Sequence, residues 1–193
     1  MLSSPYVFGY HGCDAALAKR LAVGEADLFE SASEFEWLGH GIYFWEDSPD
    51  RALRWANEKL REGTIKHPAV IGAIIDLGNC LNLVDTHFIA LVKEAYEMYR
   101  DTMSETGQKM PVNSGVGNKA RALDCAVIES LHQYRPDPPF QTVRSFFLEG
   151  KPLYDDAGFR ELDHVQICVR SRKQIKGISA SLPGAGRDGR FSS

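Results

Sequence analysis

Hydrophobic positions along the chain recur with two different periods, and each period predicts its own kind of element. Short aromatic and β-branched runs that end at glycine or another turn residue predict strands. Apolar residues spaced by three and four positions predict helices. The runs that predict strands are YVFGYHG at 6–12, GIYFW at 41–45, AVIGAIIDL at 69–77, TVRSFFLE at 142–149 and HVQICVR at 164–170.

Four helices are predicted between these strands. The first covers residues 14–22 and ends at Gly24, and the second begins after Ser48, with Pro49 in its first position. The third begins at Asp85 or Thr86, and a polar loop over 104–118 separates it from the last helix. The apolar positions that mark the last helix are Leu123, Val127 and Leu131. Strands and helices in this mixed order predict an α+β domain built on antiparallel sheets.

Length and charge restrict the class of protein. The chain has 193 residues, of which 44% are hydrophobic, so we expect one domain over residues 1–178 and a flexible tail over 179–193. The net charge of -4 argues against a protein that binds nucleic acid over most of its surface. The basic run RSRKQIK at 170–176 is either a solvated sheet edge or a local surface for phosphate contacts.

The spacing of the cysteines indicates a reducing compartment, and the spacing of the histidines indicates a protein that binds no metal. The 4 cysteines are scattered and form no C-x-x-C pair, which is typical of reduced cytoplasmic thiols. No histidines stand at metal-ligand spacing. The longest apolar run, at 69–77, is far shorter than the ~20 residues of a membrane span, and the N-terminus has no charged leader. We therefore expect a cytoplasmic protein that has no metal and no membrane partner.

Three short motifs stand out because each places a polar or aromatic group on a strand. They are YHGC at 10–13, GHGIYF at 39–44 followed by DSP and Trp55, and HVQICV at 164–169 after a loop rich in glycine and aspartate. Each alone is more often structural. Together, in this order, they resemble the ADP-ribosyltransferase superfamily, in its diphtheria-toxin and poly-ADP-ribose-polymerase branch, whose His-Tyr-Glu triad lies on three strands. The middle motif carries the most specific part of the resemblance.

The resemblance implies a split antiparallel β-sheet core with flanking helices, and NAD as substrate. His11 would bind a ribose hydroxyl, and the Gly12 backbone would bind the nicotinamide carboxamide. Tyr43 would stack on the nicotinamide ring, with Trp55 on its other face and Ser48 also in the cofactor site. Aromatic faces suit a flat, partly cationic ring, and the glycines beside Tyr43 would let the ligand approach the strand.

Two positions depart from the family pattern. Cys13 replaces a serine or threonine, and Gln166 falls where the family has its catalytic glutamate. Loss of such a positioned charge costs on the order of 10²–10³ in rate. Three interpretations remain open: Gln166 suffices, Glu149 or Glu161 replaces the missing carboxylate, or the protein binds the dinucleotide without turning it over.

The segment at 151–163 would meet the acceptor in this family, through Tyr154, Asp155 and Arg160, unless it is a plain solvated turn. The resemblance then implies a mono-ADP-ribosyltransferase, either an intracellular toxin or a defence effector. Its partners would be a protein or nucleic-acid acceptor and a neutralising antitoxin. The alternatives are an NAD glycohydrolase and a pseudoenzyme that only binds NAD or ADP-ribose.

Overall fold

The computed structural model describes residues 5–115 and 120–181, in which strands and helices follow one another in mixed order. The strands are β1 (Tyr6–Asp14), β2 (Ile42–Glu46), β3 (Pro68–Asp76), β4 (Cys80–Asn82), β5 (Thr142–Phe147), β6 (His164–Val169) and β7 (Ile175–Ser181). The helices are α1 (Ala15–Ala22), α2 (Pro49–Arg61), α3 (Thr86–Glu105) and α4 (Ala122–Tyr134), with a short 3-10 turn at Arg172–Gln174. The predicted α+β class is confirmed.

The strands form one mixed sheet in the order β4-β5-β6-β2-β1-β3-β7. All neighbours are antiparallel except β4 and β5, which run parallel. The chain leaves β4, passes through α3 and α4 and only then enters β5, and such a long helical connection allows parallel pairing. The resemblance implied a split antiparallel core, whereas the described strands form one sheet, because β1 and β2 pair directly, and its direction is mixed because β4 and β5 run parallel.

The junction between β1 and β2, which we call the seam, is the narrowest part of the sheet. These strands pair only at Gly9–Glu46 and Tyr10–Trp45, whereas β1 pairs with β3 along its whole length. Beyond Tyr10 the side chain of His11 takes over, since its Nδ1 lies 2.8 Å from the Tyr43 carbonyl oxygen. The seam is thus closed by backbone at one end and by a side chain at the other.

Apolar side chains cover both faces of the sheet. The first core packs α1 against β1, β2, β3 and β6, and its fully buried members are Ile42, Phe44, Ile71, Ile75, Ile167 and Val169. The second core packs α3 and α4 against the other face and contains Leu81, Val143 and Cys168. A small third cluster holds α2 over the seam through Trp45, Ala52 and Val70. Strand β6 is therefore buried on both sides.

The predicted helix starts are close to those in the structure. Asp14 caps α1 by accepting the Ala16 N–H at 2.9 Å, and Asp85 caps α3 by accepting the His87 N–H at 2.8 Å. Ser48 precedes Pro49 at the start of α2, but its side chain makes no capping hydrogen bond. The missing N–H of proline already removes one of the donors that a cap would satisfy.

The C-terminal boundary differs from the predicted one. Strand β7 extends to Ser181 and pairs with β3, from Ile75–Ile175 to Val70–Ser181. The predicted tail at 179–193 therefore starts at least three residues too early, because residues 179–181 belong to the sheet. The rest of that tail, 182–193, lies outside the described residues. Part of the basic run at 170–176 forms the turn and the beginning of this edge strand.

Candidate functional site

A cavity of about 560 Å³ opens beside the seam. This volume is within the usual range for small-molecule sites. Strands β1, β2 and β6, helix α2 and the segment at 29–41 provide its walls. Aromatic rings make one part of the lining, from Trp37, Tyr43, Trp45 and Trp55, and polar groups make another, from His11, Arg51, Glu149 and Gln166.

His11 enters the cavity as a neutral imidazole. Its Nδ1 faces the Tyr43 carbonyl oxygen at 2.8 Å, and a carbonyl can only accept, so Nδ1 carries the proton. Burial lowers the pKa of His11 below its usual value, although the hydrogen bond to Tyr43 works in the opposite direction. At neutral pH the ring is therefore uncharged, and Nε2 has a lone pair that can accept a hydrogen bond from a ligand hydroxyl.

Tyr43 has two roles in the cavity wall. Its hydroxyl donates to the Gly39 carbonyl at 2.7 Å and accepts from the Leu38 N–H at 2.9 Å. Burial raises the pKa of this phenol far above its usual value, so it cannot serve as a base near neutral pH. The hydroxyl holds the segment before β2 in place, while the half-buried ring lines the cavity.

Close packing inside the protein requires glycine at the positions beside Tyr43 and His11. Gly41 has a φ of +155°, and a Cβ there would lie 2.5 Å from Cys168 Sγ and 2.7 Å from the Val169 carbonyl oxygen. A Cβ on Gly12 would meet the Ala52 carbonyl oxygen and the Trp55 ring. Gly41 therefore allows the chain before β2 to lie close beside β6, its neighbour in the sheet, and Gly12 allows β1 to pack against α2. Gly12 is buried and does not line the cavity.

Two tryptophans form an aromatic corner of the cavity. The Trp45 and Trp55 ring centroids are 6.0 Å apart with an angle of 50° between the planes, and the Trp55 ring is 6.3 Å from His11. Lys59 Nζ lies 5.5 Å from the Trp55 centroid. Trp45 is not among the predicted site residues, although strand alternation places it on the same side of β2 as Tyr43.

An ion pair that the sequence did not predict lies in the same cavity. Arg51 Nη2 is 2.6 Å from Glu149 Oε2, and the two side chains are only 9% and 14% exposed. Arg51 comes from the first turn of α2 and lies 5.3 Å from the Trp45 ring centroid. Of the two carboxylates considered as replacements for the missing glutamate, Glu149 lines the cavity, while Glu161 is exposed and does not.

Gln166 lies on β6, between Trp45 of β2 and Ser145 of β5. Its half-buried side chain lines the cavity. The next residue, Ile167, points into the first core, as the predicted alternation of this strand requires. The structure thus brings Gln166, His11, Tyr43 and Trp55 to one cavity from four separate elements.

The remaining predicted site residues lie away from the cavity lining. Ser48 starts α2 without lining the cavity. Tyr154, Asp155 and Arg160 belong to an exposed loop between β5 and β6. Asp163 closes the base of that loop, accepting the Glu149 N–H at 3.1 Å and the Arg160 N–H at 2.9 Å. Since Glu149 lines the cavity and precedes this loop directly, the loop begins at the cavity wall.

Across 5–115 and 120–181, no cluster of three or more His, Cys, Asp or Glu side chains is placed to hold a metal ion. Within the same ranges no helix combines the length and the apolar character needed to cross a membrane. Cys13, Cys80, Cys125 and Cys168 are free thiols. Comparisons with protein-family models, with curated proteins and with solved structures find no match to this chain.

Proposed function

We propose that this chain is an NAD-dependent mono-ADP-ribosyltransferase with an ADP-ribosyltransferase-like fold, which transfers ADP-ribose from NAD to a macromolecule. The observation that carries the proposal is the meeting of His11, Tyr43, Trp55 and Gln166 around one cavity. These residues come from β1, β2, α2 and β6. The motifs that carry these residues lie far apart in the chain, and cleavage of NAD would require their side chains to meet at one site.

The lining supports a ligand with a flat cationic end and free hydroxyls. His11 offers an acceptor to a ribose hydroxyl. Tyr43 and Trp55 offer aromatic faces to the nicotinamide ring. The charged lining residues are Glu36, Glu58 and Glu149 against Arg51 and Lys59, which leaves one negative charge in excess. That excess favours the cationic nicotinamide ring and the positive charge that develops on the ribose.

In the reaction the bond between nicotinamide nitrogen and ribose carbon breaks, and its electron pair leaves with nicotinamide. The acceptor then bonds to the ribose carbon and loses its proton to solvent or a nearby base. Gln166 would hold the ribose hydroxyl beside the breaking bond. Glu149 is a poorer source of stabilising charge, because Arg51 compensates its carboxylate at 2.6 Å. The amide at position 166 therefore implies a slow enzyme.

Incubation with labelled NAD tests the proposal, with nicotinamide release and label transfer to separate protein, RNA and DNA fractions as the readouts. We expect release with transfer to one fraction, loss of release in Gln166→Ala, and equal or faster release in Gln166→Glu. Gln133→Ala, on the exposed side of α4, is the matched control and should behave as the wild type.

The other outcomes separate the alternatives. Release without label transfer would indicate an NAD glycohydrolase. NAD binding without nicotinamide release would indicate a binding module. The neutral side chain of Gln166 is the feature that favours this alternative. No binding at all would refute the proposal.

The biological setting follows from the same proposal. Free thiols suit a reducing compartment, so we place the protein in the cytoplasm. A mono-ADP-ribosyltransferase there would act as a toxin or a defence effector, and a cell that makes it would need a neutralising antitoxin. The exposed loop with Tyr154, Asp155 and Arg160 is the surface proposed to meet the acceptor.

A further inference from the structure

Two side chains that line the cavity carry three buried hydrogen-bond donors without a partner among the described residues. The donors are Arg51 Nε, Arg51 Nη1 and Trp45 Nε1. Arg51 is 9% exposed and Trp45 is 5% exposed, and both line the cavity. Buried donors without an acceptor cost free energy, so this part of the wall is suited to a ligand that brings an oxygen atom.

The negative charge of Glu149 beside these donors restricts the kind of chemical group that can supply the oxygen atom. Glu149 Oε2 lies 2.6 Å from Arg51 Nη2, so the guanidinium is already paired with one carboxylate. A second anion at the same place would meet the repulsion of Glu149 and the net negative charge of the lining. A neutral group that has both an acceptor for Arg51 and a donor for Glu149 meets no such repulsion. A primary carboxamide has both within one small planar group.

We propose that Arg51 and Glu149 bind the carboxamide of the nicotinamide ring and select the amide over the corresponding carboxylic acid. Arg51 donates to the amide oxygen, and Glu149 accepts from the amide nitrogen. The inference rests on the proposed function, and it assigns to these two residues the discrimination between NAD and its deamidated form, nicotinic acid adenine dinucleotide. Both residues thereby become specificity-determining residues.

Neighbouring groups hold each member of the Arg51–Glu149 ion pair in place. Arg51 extends from the first turn of α2 across the face of Trp45, at 5.3 Å from its centroid. Glu149 is fixed through its own backbone N–H, which donates to Asp163 Oδ1 at 3.1 Å. His164 lies 3.8 Å from Glu149 Oε2, but its Nδ1 donates to the Leu162 carbonyl at 2.6 Å, and burial lowers its pKa. The imidazole is therefore neutral and does not compete with Arg51 for the carboxylate.

Calorimetric titration of the whole chain with NAD and with nicotinic acid adenine dinucleotide tests the inference. We expect the wild type to bind NAD at least about tenfold more tightly, the factor typical of one charge-assisted hydrogen bond gained or lost. Glu149→Gln removes the repulsion and should bring the two dissociation constants within about threefold. Glu161→Gln makes the same charge change on the same loop outside the cavity, and it should keep the wild-type ratio.

The outcomes distinguish this inference from the proposed function. If the wild type binds neither dinucleotide, the proposed function fails first. If it binds NAD but does not discriminate, or if Glu149→Gln keeps the full discrimination, the assignment of Arg51 and Glu149 is wrong and the proposed function stands. Should Glu149→Gln fail to fold, the double variant Arg51→Met/Glu149→Gln removes both charges together. It should bind both dinucleotides with similar affinity.

Discussion

Replacement of Tyr43 by phenylalanine separates the two roles of this side chain. The change removes the hydroxyl, which donates to the Gly39 carbonyl at 2.7 Å and accepts the Leu38 N–H at 2.9 Å. The aromatic ring remains in the cavity wall. We therefore expect Tyr43→Phe to weaken the fold and to leave the affinity for NAD nearly unchanged.

The size of the effect follows from the partners left behind. The Gly39 carbonyl keeps the Cys168 thiol, 3.6 Å away, as a weak donor, whereas the Leu38 N–H loses its acceptor. One hydrogen bond contributes about 0.5–1.5 kcal/mol net, and a buried unpaired donor costs about 1–3 kcal/mol. We expect the free energy of unfolding to fall by about 1–3 kcal/mol, which for a chain of this length lowers Tm by roughly 2–12 °C.

Urea and thermal unfolding measure the loss, and titration with NAD measures the affinity. Tyr10→Phe is the matched control, because Tyr10 is half-buried on the neighbouring strand and its hydroxyl has no hydrogen bond within the described residues. That variant should change stability by less than about 0.5 kcal/mol. If Tyr43→Phe is as stable as the wild type, the hydroxyl does not hold the loop. If affinity for NAD falls more than stability, the hydroxyl contacts the ligand.

Two further predictions concern stability. The free energy of unfolding should decrease as pH falls from 6.5 towards 4. Burial lowers the pKa of His132 to about 4, and it also lowers the pKa of His11 and of His164. In this pH range the unfolded chain therefore binds protons that the folded chain does not, and protonation favours unfolding. His132→Asn should flatten this dependence in urea titrations, and an unchanged slope would contradict the assignment. Gly41→Ala should cost more than about 2 kcal/mol, because its Cβ would lie 2.5 Å from Cys168 Sγ. Gly158→Ala, where a Cβ meets open space, should cost little in the same melts.

Local patterns predicted the principal elements well and the smallest and most polar ones poorly. The five predicted strands all occur, because each concentrates aromatic or β-branched residues between turn signals. Strand β4 has only three residues, too few for a pattern. Strand β7 reads IKGISAS, whose glycine, serines and lysine resemble a loop, and its pairing with the long strand β3 overrides that preference.

The candidate site was predictable only where a motif carried it. His11, Tyr43, Trp55 and Gln166 were found from their motifs, and the structure places them around one cavity. Arg51 could not be found in this way, because a charged residue in the first turn of a helix normally faces solvent. Its burial depends on Glu149, which is 98 positions away in sequence. Gly41 lines the cavity, which agrees with its interpretation as room for a ligand, but a Cβ there is also excluded by Cys168, on a strand that no local pattern connects to it.

The narrow seam between β1 and β2 has a mechanical consequence. Two residue pairs and the hydrogen bond from the Asp47 N–H to the Phe8 carbonyl connect the backbone of one part, made of β1, β3 and β7, to that of the other part, made of β2, β4, β5 and β6, across the seam. Phe44 and Ile71 pack both parts into a shared core, and residues of both parts line the cavity. We expect any rotation of one part against the other about this core to change the width of the cavity. A molecule bound in the cavity would then favour one orientation of the two parts. Amide hydrogen exchange at Asp47, whose N–H donates to the Phe8 carbonyl across the seam at 2.9 Å, would then report on occupancy, while amides in the middle of β3 stay protected in either state.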